Sequence, residues 1–386
     1  MLDKIRSKKV LNLIFIKLIK RKKLKVLKYN KNMLNKLNIS LKDFEQYKLL
    51  KELNLKYNLN IEDVDVEIVN TKDKNIDDEF LNYLSKIKFN ELKQLILYGT
   101  FNLQLLEKTR LNKLEKLVFH QNKNLYKNNI LQKLNFKELK ELNLSQNELT
   151  NLDLLKKVNF EKLESLDLSI NILSDINTLE KVNFKELKSL NLSFTDTYNI
   201  NILEKVKFEN LEILDLSYNY ISDINIFKKV NFRELKSLNI RHNRISDIKV
   251  FQYVSFEKLE NLDLSVNKIP DINVFEKVNF KELKELNLCF NAISDIKILE
   301  KVNFKKLEEL DLSVNRISSI KILEKVDFKN LKVLDLYANK LTSIKTLEKM
   351  RFEKLVKLDI RNNKFDEEKI SILVNKLKLK IALIKY

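Results

Sequence analysis

Residues 163–171 read LESLDLSIN, and this pattern, LxxLxLxxN, recurs along most of the chain. Its copies are spaced 24 residues apart, and Ile or Val replaces a leucine in some of them. The leucines that begin them are Leu139, Leu163, Leu187, Leu211, Leu235, Leu259, Leu283, Leu307, Leu331 and Leu355. Looser copies begin at Leu92 and Leu114, which makes about twelve turns of one unit. Self-similarity at a fixed period of this size is typical of solenoid proteins.

The pattern predicts a short strand followed by a turn. Its leucines alternate, so one face of the strand is apolar, and adjacent copies can pair as a parallel sheet. The ninth position is Asn in nearly all copies, and its amide can both donate and accept hydrogen bonds in the turn beyond the strand. The copy at Leu187 departs from this rule, with Thr195 in place of Asn and Thr197 in place of Ile. We interpret that departure as sequence drift.

Each copy continues into an apolar segment such as residues 245–256, ISDIKVFQYVSF. Apolar residues at a spacing of three suit a single 3₁₀ or α turn, and the Ser-Asp pair before them, as in Ser174 and Asp175, can cap that turn. A Phe closes each unit, and we expect this column to be core rather than a cofactor site. The column comprises Phe136, Phe160, Phe184, Phe208, Phe232, Phe256, Phe280, Phe304, Phe328 and Phe352.

These strings resemble the leucine-rich repeat family, in its intracellular and internalin-like style, directly over residues 92–363. The resemblance implies an α/β repeat solenoid, a horseshoe with a parallel concave β-sheet and short convex 3₁₀ or α turns. It also implies a non-enzymatic protein-binding scaffold, adaptor or regulatory subunit, because the family is a general-purpose binding scaffold. Bacterial internalin-like or effector proteins of the family are a further alternative.

The ends of the chain lack the repeat. We expect a helical N-terminal cap over residues 1–57, an irregular capping turn over 58–91, the array over 92–365 and a C-terminal cap over 366–386. The N-terminal segment also weakly resembles an F-box, without the usual Leu-Pro opening and later Trp, and that resemblance implies a substrate receptor of a ubiquitin ligase. The matching residues are Val10, Leu11, Ile14, Phe15, Leu18, Leu24 and Leu27.

The composition excludes several kinds of chemistry. One Gly and one Pro exclude phosphate sites built from clustered glycines. One Cys, Cys289, excludes an internal disulfide and a thiolate zinc cluster, and two His, His120 and His242, leave little for metal binding or general-base catalysis. We therefore expect no enzymatic activity, no cofactor and no metal site.

The chain has a formal net charge of +19. Such a charge could attract nucleic acid or an acidic membrane, but a sequence rich in Lys, Asn, Ile and Phe is also what an AT-rich genome encodes, and we do not expect a nucleic-acid partner. The longest apolar run, residues 10–19, contains Asn12 and Lys17 and is too short to span a membrane. We expect a cytoplasmic monomer without a transmembrane segment.

The candidate binding residues flank the strand leucines on the predicted concave face. Aromatic residues and Arg are favoured there, since they are enriched among interface anchors, and Phe194, Tyr218, Arg241 and His242 mark the first patch. The full set is Tyr98, His120, Phe194, Tyr218, Arg241, His242, Phe290, Asp311, Asp335, Tyr337, Asp359 and Arg361.

Three carboxylates in that set are expected to lie side by side. Asn separates one Asp from the next at the fifth position through most of the array, but Asp311, Asp335 and Asp359 follow one another without it. Facing like charges are destabilising. Either Lys357 and Arg361 offset them, or a basic partner does.

Overall fold

A computed structural model describes residues 41–386, apart from residues 60, 62–65, 73, 75, 90, 110, 126–129, 135, 174–175, 351 and 378–380. The chain divides into two compact units, one that runs to Leu111 and one from Asn112 to Tyr386. The residues that resemble an F-box lie outside the described residues.

The first unit contains helices α1 (Leu41–Tyr57) and α2 (Asp78–Lys86), strands β1 (Ile68–Asn70) and β2 (Gln94–Tyr98), and a 3₁₀ helix, Leu103–Lys108. β1 and β2 are parallel. α2 begins after Asp77, because the Asp77 carboxylate accepts the N–H of Phe80, and it buries Phe80, Leu81 and Leu84. Residues 50–58 match the repeat pattern but belong to α1 and the turn after it, and Leu50 and Leu53 are buried at helical spacing.

The second unit is the array. Its described strands pair in parallel, mostly with residues 24 apart as partners. The strands are β3 (Lys116–His120), β4 (Glu141–Asn143), β5 (Ser165–Asp167), β6 (Ser189–Asn191), β7 (Ile213–Asp215), β8 (Ser237–Asn239), β9 (Asn261–Asp263), β10 (Glu285–Asn287), β11 (Glu309–Asp311), β12 (Val333–Asp335), β13 (Lys357–Asp359) and β14 (Leu383–Lys385).

Short helical turns connect these strands. Most are 3₁₀ helices, as their spacing of apolar residues predicts, and the last two connections are helices α3 (Lys345–Lys349) and α4 (Glu367–Leu377). The 3₁₀ helices are Ile130–Gln132, Asp153–Leu155, Asn177–Lys181, Asn201–Glu204, Asn225–Lys228, Lys249–Tyr253, Asn273–Glu276, Lys297–Glu300 and Lys321–Glu324. Where a described Ser-Asp pair precedes such a helix, its Asp caps the helix: Asp247, for example, accepts the N–H of Lys249 at 2.8 Å. The pair Ser174 and Asp175 lies outside the described residues.

The Asn of the ninth position holds each turn to its neighbour. Asn219 donates from Nδ2 to two carbonyl oxygens of its own repeat and to the carbonyl oxygen of Leu192 in the preceding one, at 2.8 Å. Its Oδ1 accepts the backbone N–H groups of Thr195 and Thr197, both at 3.0 Å. Similar bonds are made by Asn171, Asn243, Asn267, Asn291, Asn315, Asn339 and Asn363.

Thr195 replaces part of this bonding, as expected for a hydroxyl. Its Oγ1 donates to the Leu192 carbonyl at 2.8 Å and lies 2.8 Å from the Thr197 hydroxyl. Where an Asn Oδ1 would accept from the preceding repeat, the backbone carbonyl of Thr195 accepts the N–H of Leu173 instead, at 2.9 Å. The hydrogen-bonded ladder therefore continues through the irregular turn.

The Phe column is core, as predicted, except at its end. Phe136 to Phe328 are buried in every copy, whereas Phe352 is only half-buried. Within the column the Phe160 ring lies between those of Phe136 and Phe184, with centroids 6.2 and 6.5 Å away. Repetition therefore produces a continuous apolar layer, since each unit covers the face of the one before it.

Candidate protein-binding surface

The residue at the eighth position of each repeat adopts a left-handed backbone conformation. Its φ lies between 51° and 58° in every copy from Gln121 to Asn362, including Ile170, Val266 and Val314. This conformation is unfavourable for β-branched residues. It is enforced because the residue's N–H donates to the next repeat, as Phe194 does to the carbonyl oxygen of Ser217 at 3.0 Å, while the Asn that follows must point inward.

Three of these side chains form a continuous stack, which we call the aromatic ladder: Phe194, Tyr218 and His242. The Phe194 and Tyr218 ring centroids are 4.1 Å apart with an interplanar angle of 10°. The centroids of Tyr218 and His242 are 4.6 Å apart, at 17°. Because each residue occupies the same position in successive repeats, the spacing of the sheet brings the rings into face-to-face contact. Phe194 nevertheless keeps 48% of its surface exposed.

Two Arg residues flank the ladder. The Arg241 guanidinium carbon lies 5.9 Å from the Tyr218 ring centroid, and that of Arg244 lies 4.6 Å from the Tyr220 ring centroid. Burial acts to lower the pKa of Arg241, but a hydrogen bond with Tyr218 and the charge of Asp263 outweigh it, so the pKa is raised. The Arg241 guanidinium is therefore cationic at neutral pH.

Exposed apolar side chains extend this surface into the repeat before the ladder. Ile170 and Ile172 are 48% and 54% exposed, and Tyr220 is also exposed. We define the edge patch as the aromatic ladder together with Ile170, Ile172, Tyr220, Arg241 and Arg244. The structure thus brings together the four residues that the sequence favoured most, and adds Ile170, Ile172, Tyr220 and Arg244. Ile172, Tyr220 and Arg244 all occupy the tenth position of their repeats, so comparing that position across the repeats would have found three of these four residues.

The remaining aromatic and basic candidates lie elsewhere. Tyr98 belongs to the first unit. His120 contacts Ser145, with Nδ1 3.2 Å from its carbonyl oxygen. Phe290 is exposed in the same column as the ladder, but Val266 and Val314 occupy the neighbouring copies.

The seventh position is mostly not a surface position. Its serines are buried, which explains why small residues recur there: Ser145, Ser169, Ser193, Ser217, Ser265 and Ser313. Tyr337 and Arg361 are the larger exceptions near the end of the array, and the Arg361 guanidinium carbon lies 5.4 Å from the Tyr337 ring centroid.

The acidic side chains of the fifth position turn back to the backbone. Asp311 Oδ1 accepts both the N–H and the hydroxyl of Ser313, at 2.8 and 2.6 Å, and Asp335 accepts the N–H of Tyr337 at 2.9 Å. Asn residues in the same column do the same, as Asn143 does for Ser145. Asp and Asn recur here because each closes a turn at the end of its strand.

The three consecutive carboxylates are side by side, as expected, since Asp335 pairs in register with both Asp311 and Asp359. Burial acts to raise the pKa of Asp359, but Arg361 outweighs it and the pKa is lowered. The guanidinium binds both carboxylate oxygens, at 3.0 and 2.6 Å. Burial, reinforced by Asp311 and Asp359, raises the pKa of Asp335 despite its backbone hydrogen bond. Arg361 thus offsets one end of the stack, whereas the charge of Lys357 offsets that of Asp335 only in part and the pKa of Asp335 stays raised.

Replacing Asp335 with Asn is expected to stabilise the protein at pH 7 by about 0.2–1 kcal/mol, because it removes the repulsion of Asp335 with Asp311 and with Asp359 and keeps an acceptor for Tyr337. A raised carboxyl pKa in the folded state means that folding disfavours the charged form. The gain should therefore shrink as the pH falls through that raised pKa toward the ordinary value of 3.8. Urea unfolding of the variant and of the unchanged protein at several pH values measures this gain in the free energy of unfolding.

Asp167→Asn is the matched control, because Asp167 already lies between Asn143 and Asn191 and accepts from Asn143 Nδ2 at 2.8 Å. It should bring no gain. An equal gain in both variants would show that the carboxylate stack is not the cause.

The sheet face carries a groove of about 370 Å³ that is lined by residues of β8 to β13, and Asp311 and Asp335 of the stack are among them. Burial, followed by the charges of Glu309 and Glu308, raises the pKa of Glu285 in its wall. In the described part of the chain, no three His, Cys, Asp or Glu side chains are grouped so that they could hold a metal ion. Burial also raises the pKa of the Cys289 thiol, whereas an activated nucleophile needs a lowered one.

Comparison with known families identifies the repeat. Residues 233–293 match the family described as leucine rich repeat, residues 281–325 match a two-copy form of it, and residues 210–229 match a single copy. Residues 210–229 and 233–325 of this chain belong to the leucine-rich repeat family. Leucine-rich repeat proteins typically bind other proteins and are generally not enzymes. Among the described helices, none is both long and apolar enough to cross a membrane.

Solved leucine-rich repeat structures share the fold at low sequence identity. The internalin inlF of Listeria monocytogenes strain 4b F2365 has a TM-score of 0.59 at 22% identity, over 82% of this chain and 94% of that one. TLR13 in its complex with ssRNA13 has a TM-score of 0.58 at 20% identity, over 84% and 53%. The plant peptide hormone receptor RGFR1 in complex with RGF2 has 0.50 at 20%, over 73% and 49%. No curated protein matches the chain.

Proposed function

We propose that this leucine-rich repeat protein is a non-enzymatic scaffold, adaptor or regulatory subunit that binds a protein partner through the edge patch. The aromatic ladder carries the proposal. Three rings stacked across successive repeats form a rigid surface whose side chains lose little further freedom on binding, and aromatic residues beside Arg are the side chains that most often anchor protein interfaces.

The form of the patch favours a macromolecular partner. It runs from Ile170 to Arg244 across four repeats, or about 15 Å at the strand spacing of a sheet, and it lies on exposed side chains rather than in an enclosed cavity. Small-molecule sites are typically concave and bury most of the ligand. We also propose that the protein acts as a monomer in the cytoplasm, as the sequence leads us to expect.

The combined variant Phe194→Ala, Tyr218→Ala, Arg241→Ala and His242→Ala is expected to lose its partner in an affinity pull-down from the native cell. Interface anchors contribute about 2 kcal/mol or more each, so the recovery should fall at least about tenfold. Tyr253→Ala is the control, because Tyr253 is an exposed aromatic residue of a 3₁₀ helix outside the patch. It should leave the recovery unchanged.

Equal recovery of the partner by the full chain and by the four-residue variant would refute this location of the site. The next candidate would then be the column formed by Asp311, Asp335 and Asp359. Recovery of ligase adaptor subunits with both forms would instead support the F-box alternative, and deleting residues 1–40 would then abolish their recovery without unfolding the array.

A further inference from the structure

The two Arg residues of the edge patch are not paired in the way that several lysines at the second position of the repeat are. Lys188, Lys236 and Lys284 each bind a Glu one repeat earlier, at 2.6 to 2.9 Å. Arg241 and Arg244, in contrast, form no ion pair with any carboxylate of the described residues. Arg241 donates one N–H to the Ser265 hydroxyl at 3.3 Å and also forms a hydrogen bond with Tyr218. A guanidinium has five N–H donors, so most of its hydrogen-bonding capacity is open to a partner.

The ladder adds positive potential of its own. Phe194 covers one ring face of Tyr218 and His242 covers the other, so the exposed part of Tyr218 is ring edge. Ring edges carry the positive part of the aromatic quadrupole, whereas ring faces carry the negative part. A carboxylate that approaches this surface therefore meets ring edges and two guanidinium groups together.

Exposed apolar surface lies three repeats before these cations, on the same edge of the array. Ile170 and Ile172 lie one repeat before Phe194, at the positions that correspond to Tyr218 and Tyr220 two repeats later. The positions stay in register because the N–H of Ile170 donates to the Ser193 carbonyl, at 2.9 Å. The patch thus changes from apolar to cationic along the array, over the length of about four or five residues of an extended chain.

We propose that the edge patch binds an extended, acidic segment of a partner protein, in which a large apolar side chain lies a few residues from an Asp or Glu carboxylate. This inference rests on the proposed function and specifies its partner. The apolar side chain packs against Ile170, Ile172 and Phe194, and the carboxylate binds Arg241 and Arg244. Charge complementarity of this kind selects partners and makes binding sensitive to salt.

Selection of random peptides of about twelve residues, long enough to span the patch in extended form, on the immobilised full chain tests the proposal. Fluorescein-labelled copies of the enriched peptides are then titrated with the full chain and its variants, and anisotropy is measured at low and high salt. The double variant Arg241→Gln, Arg244→Gln removes the two guanidinium groups. Arg316→Gln is the matched control, because Arg316 occupies the position of Arg244 three repeats later and is also exposed.

We expect enriched peptides to pair Asp or Glu with Leu, Ile or an aromatic residue. Their affinity should fall at least about tenfold with the double variant, less than about twofold with Arg316→Gln, and steeply with added salt. Thermal unfolding followed by circular dichroism checks that all three proteins are equally folded.

Other outcomes separate this inference from the proposed function. Peptides without acidic residues that still require Phe194 and Tyr218 would overturn the acidic partner and leave the binding site in place. If the enriched peptides bound the four-residue variant as well as the full chain, or if no peptides were enriched, both the inference and the proposed function would be overturned. Tighter binding of fluorescein-labelled oligothymidylate than of any peptide, lost with the double variant, would overturn the inference in favour of a nucleic-acid partner.

Discussion

Asn219→Leu is expected to lower the free energy of unfolding by about 3 kcal/mol or more. Leu resembles Asn in shape but has no polar atoms, so the buried N–H groups of Thr195 and Thr197 lose the oxygen that accepts both of them. A buried donor without a partner is destabilising by about 1–3 kcal/mol. The carbonyl oxygen of Leu192 loses one hydrogen bond but keeps another, because it also accepts the Thr195 hydroxyl. Urea unfolding followed by circular dichroism measures the change.

A second variant separates the two functions of this amide. Asn219→Asp keeps an oxygen for Thr195 and Thr197 but replaces the donating Nδ2 with an oxygen that faces the three carbonyl oxygens to which Nδ2 donated. Its instability should therefore be largest when the carboxylate is charged and should decrease on acidification, whereas that of Asn219→Leu should not.

Asn261→Leu is the matched control for the same substitution. Asn261 lies in β9, on the sheet face and not in a turn, and its side chain is half-buried. A surface change of this kind shifts stability by no more than about 0.5 kcal/mol. If Asn219→Leu and Asn261→Leu lost comparable amounts of unfolding free energy, the change in polarity, and not the loss of the hydrogen bonds between repeats, would be responsible.

The periodic part of the fold could be predicted from sequence because every copy carries the same pattern of residues. Alternating leucines specify the strand, the Asn specifies the turn, and a column of Phe specifies the core. Residues 50–58 show the limit of this reasoning, since they match the pattern yet lie at the end of α1. This copy is not flanked on both sides by further copies with which a strand could pair. The segment instead forms a helix, which buries Leu50 and Leu53.

The candidate site could be predicted only in part. The column of Phe194, Tyr218 and His242 is visible in the sequence, but their face-to-face contact depends on the left-handed backbone at each position, which non-glycine residues rarely adopt. The same limit applies to Asp311, which looks like an open acidic group in sequence but accepts two hydrogen bonds from Ser313. Spacing alone does not show where a short polar side chain turns.

Phe160→Ala is expected to destabilise the array by about 3–5 kcal/mol, as is usual when a buried Phe is truncated and a cavity remains. Phe160 is 1% exposed and loses ring contacts with both Phe136 and Phe184. Phe160→Leu should retain most of the buried apolar surface and cost markedly less, so the two variants separate the loss of apolar burial from the loss of ring contacts. Chemical denaturation of each purified variant measures the difference.

Phe352→Ala is the control within the same column, and it should cost less than half as much because Phe352 is half-buried. The two sites also differ in how many interfaces between repeats the truncation weakens. In a repeat array each unit contacts its neighbours on both sides, so a cavity at Phe160 weakens two interfaces within the array, whereas one at Phe352 lies near its end. Hydrogen exchange should therefore accelerate on both sides of residue 160 but only locally around residue 352. An equal loss of stability at both sites would show that burial does not govern this column.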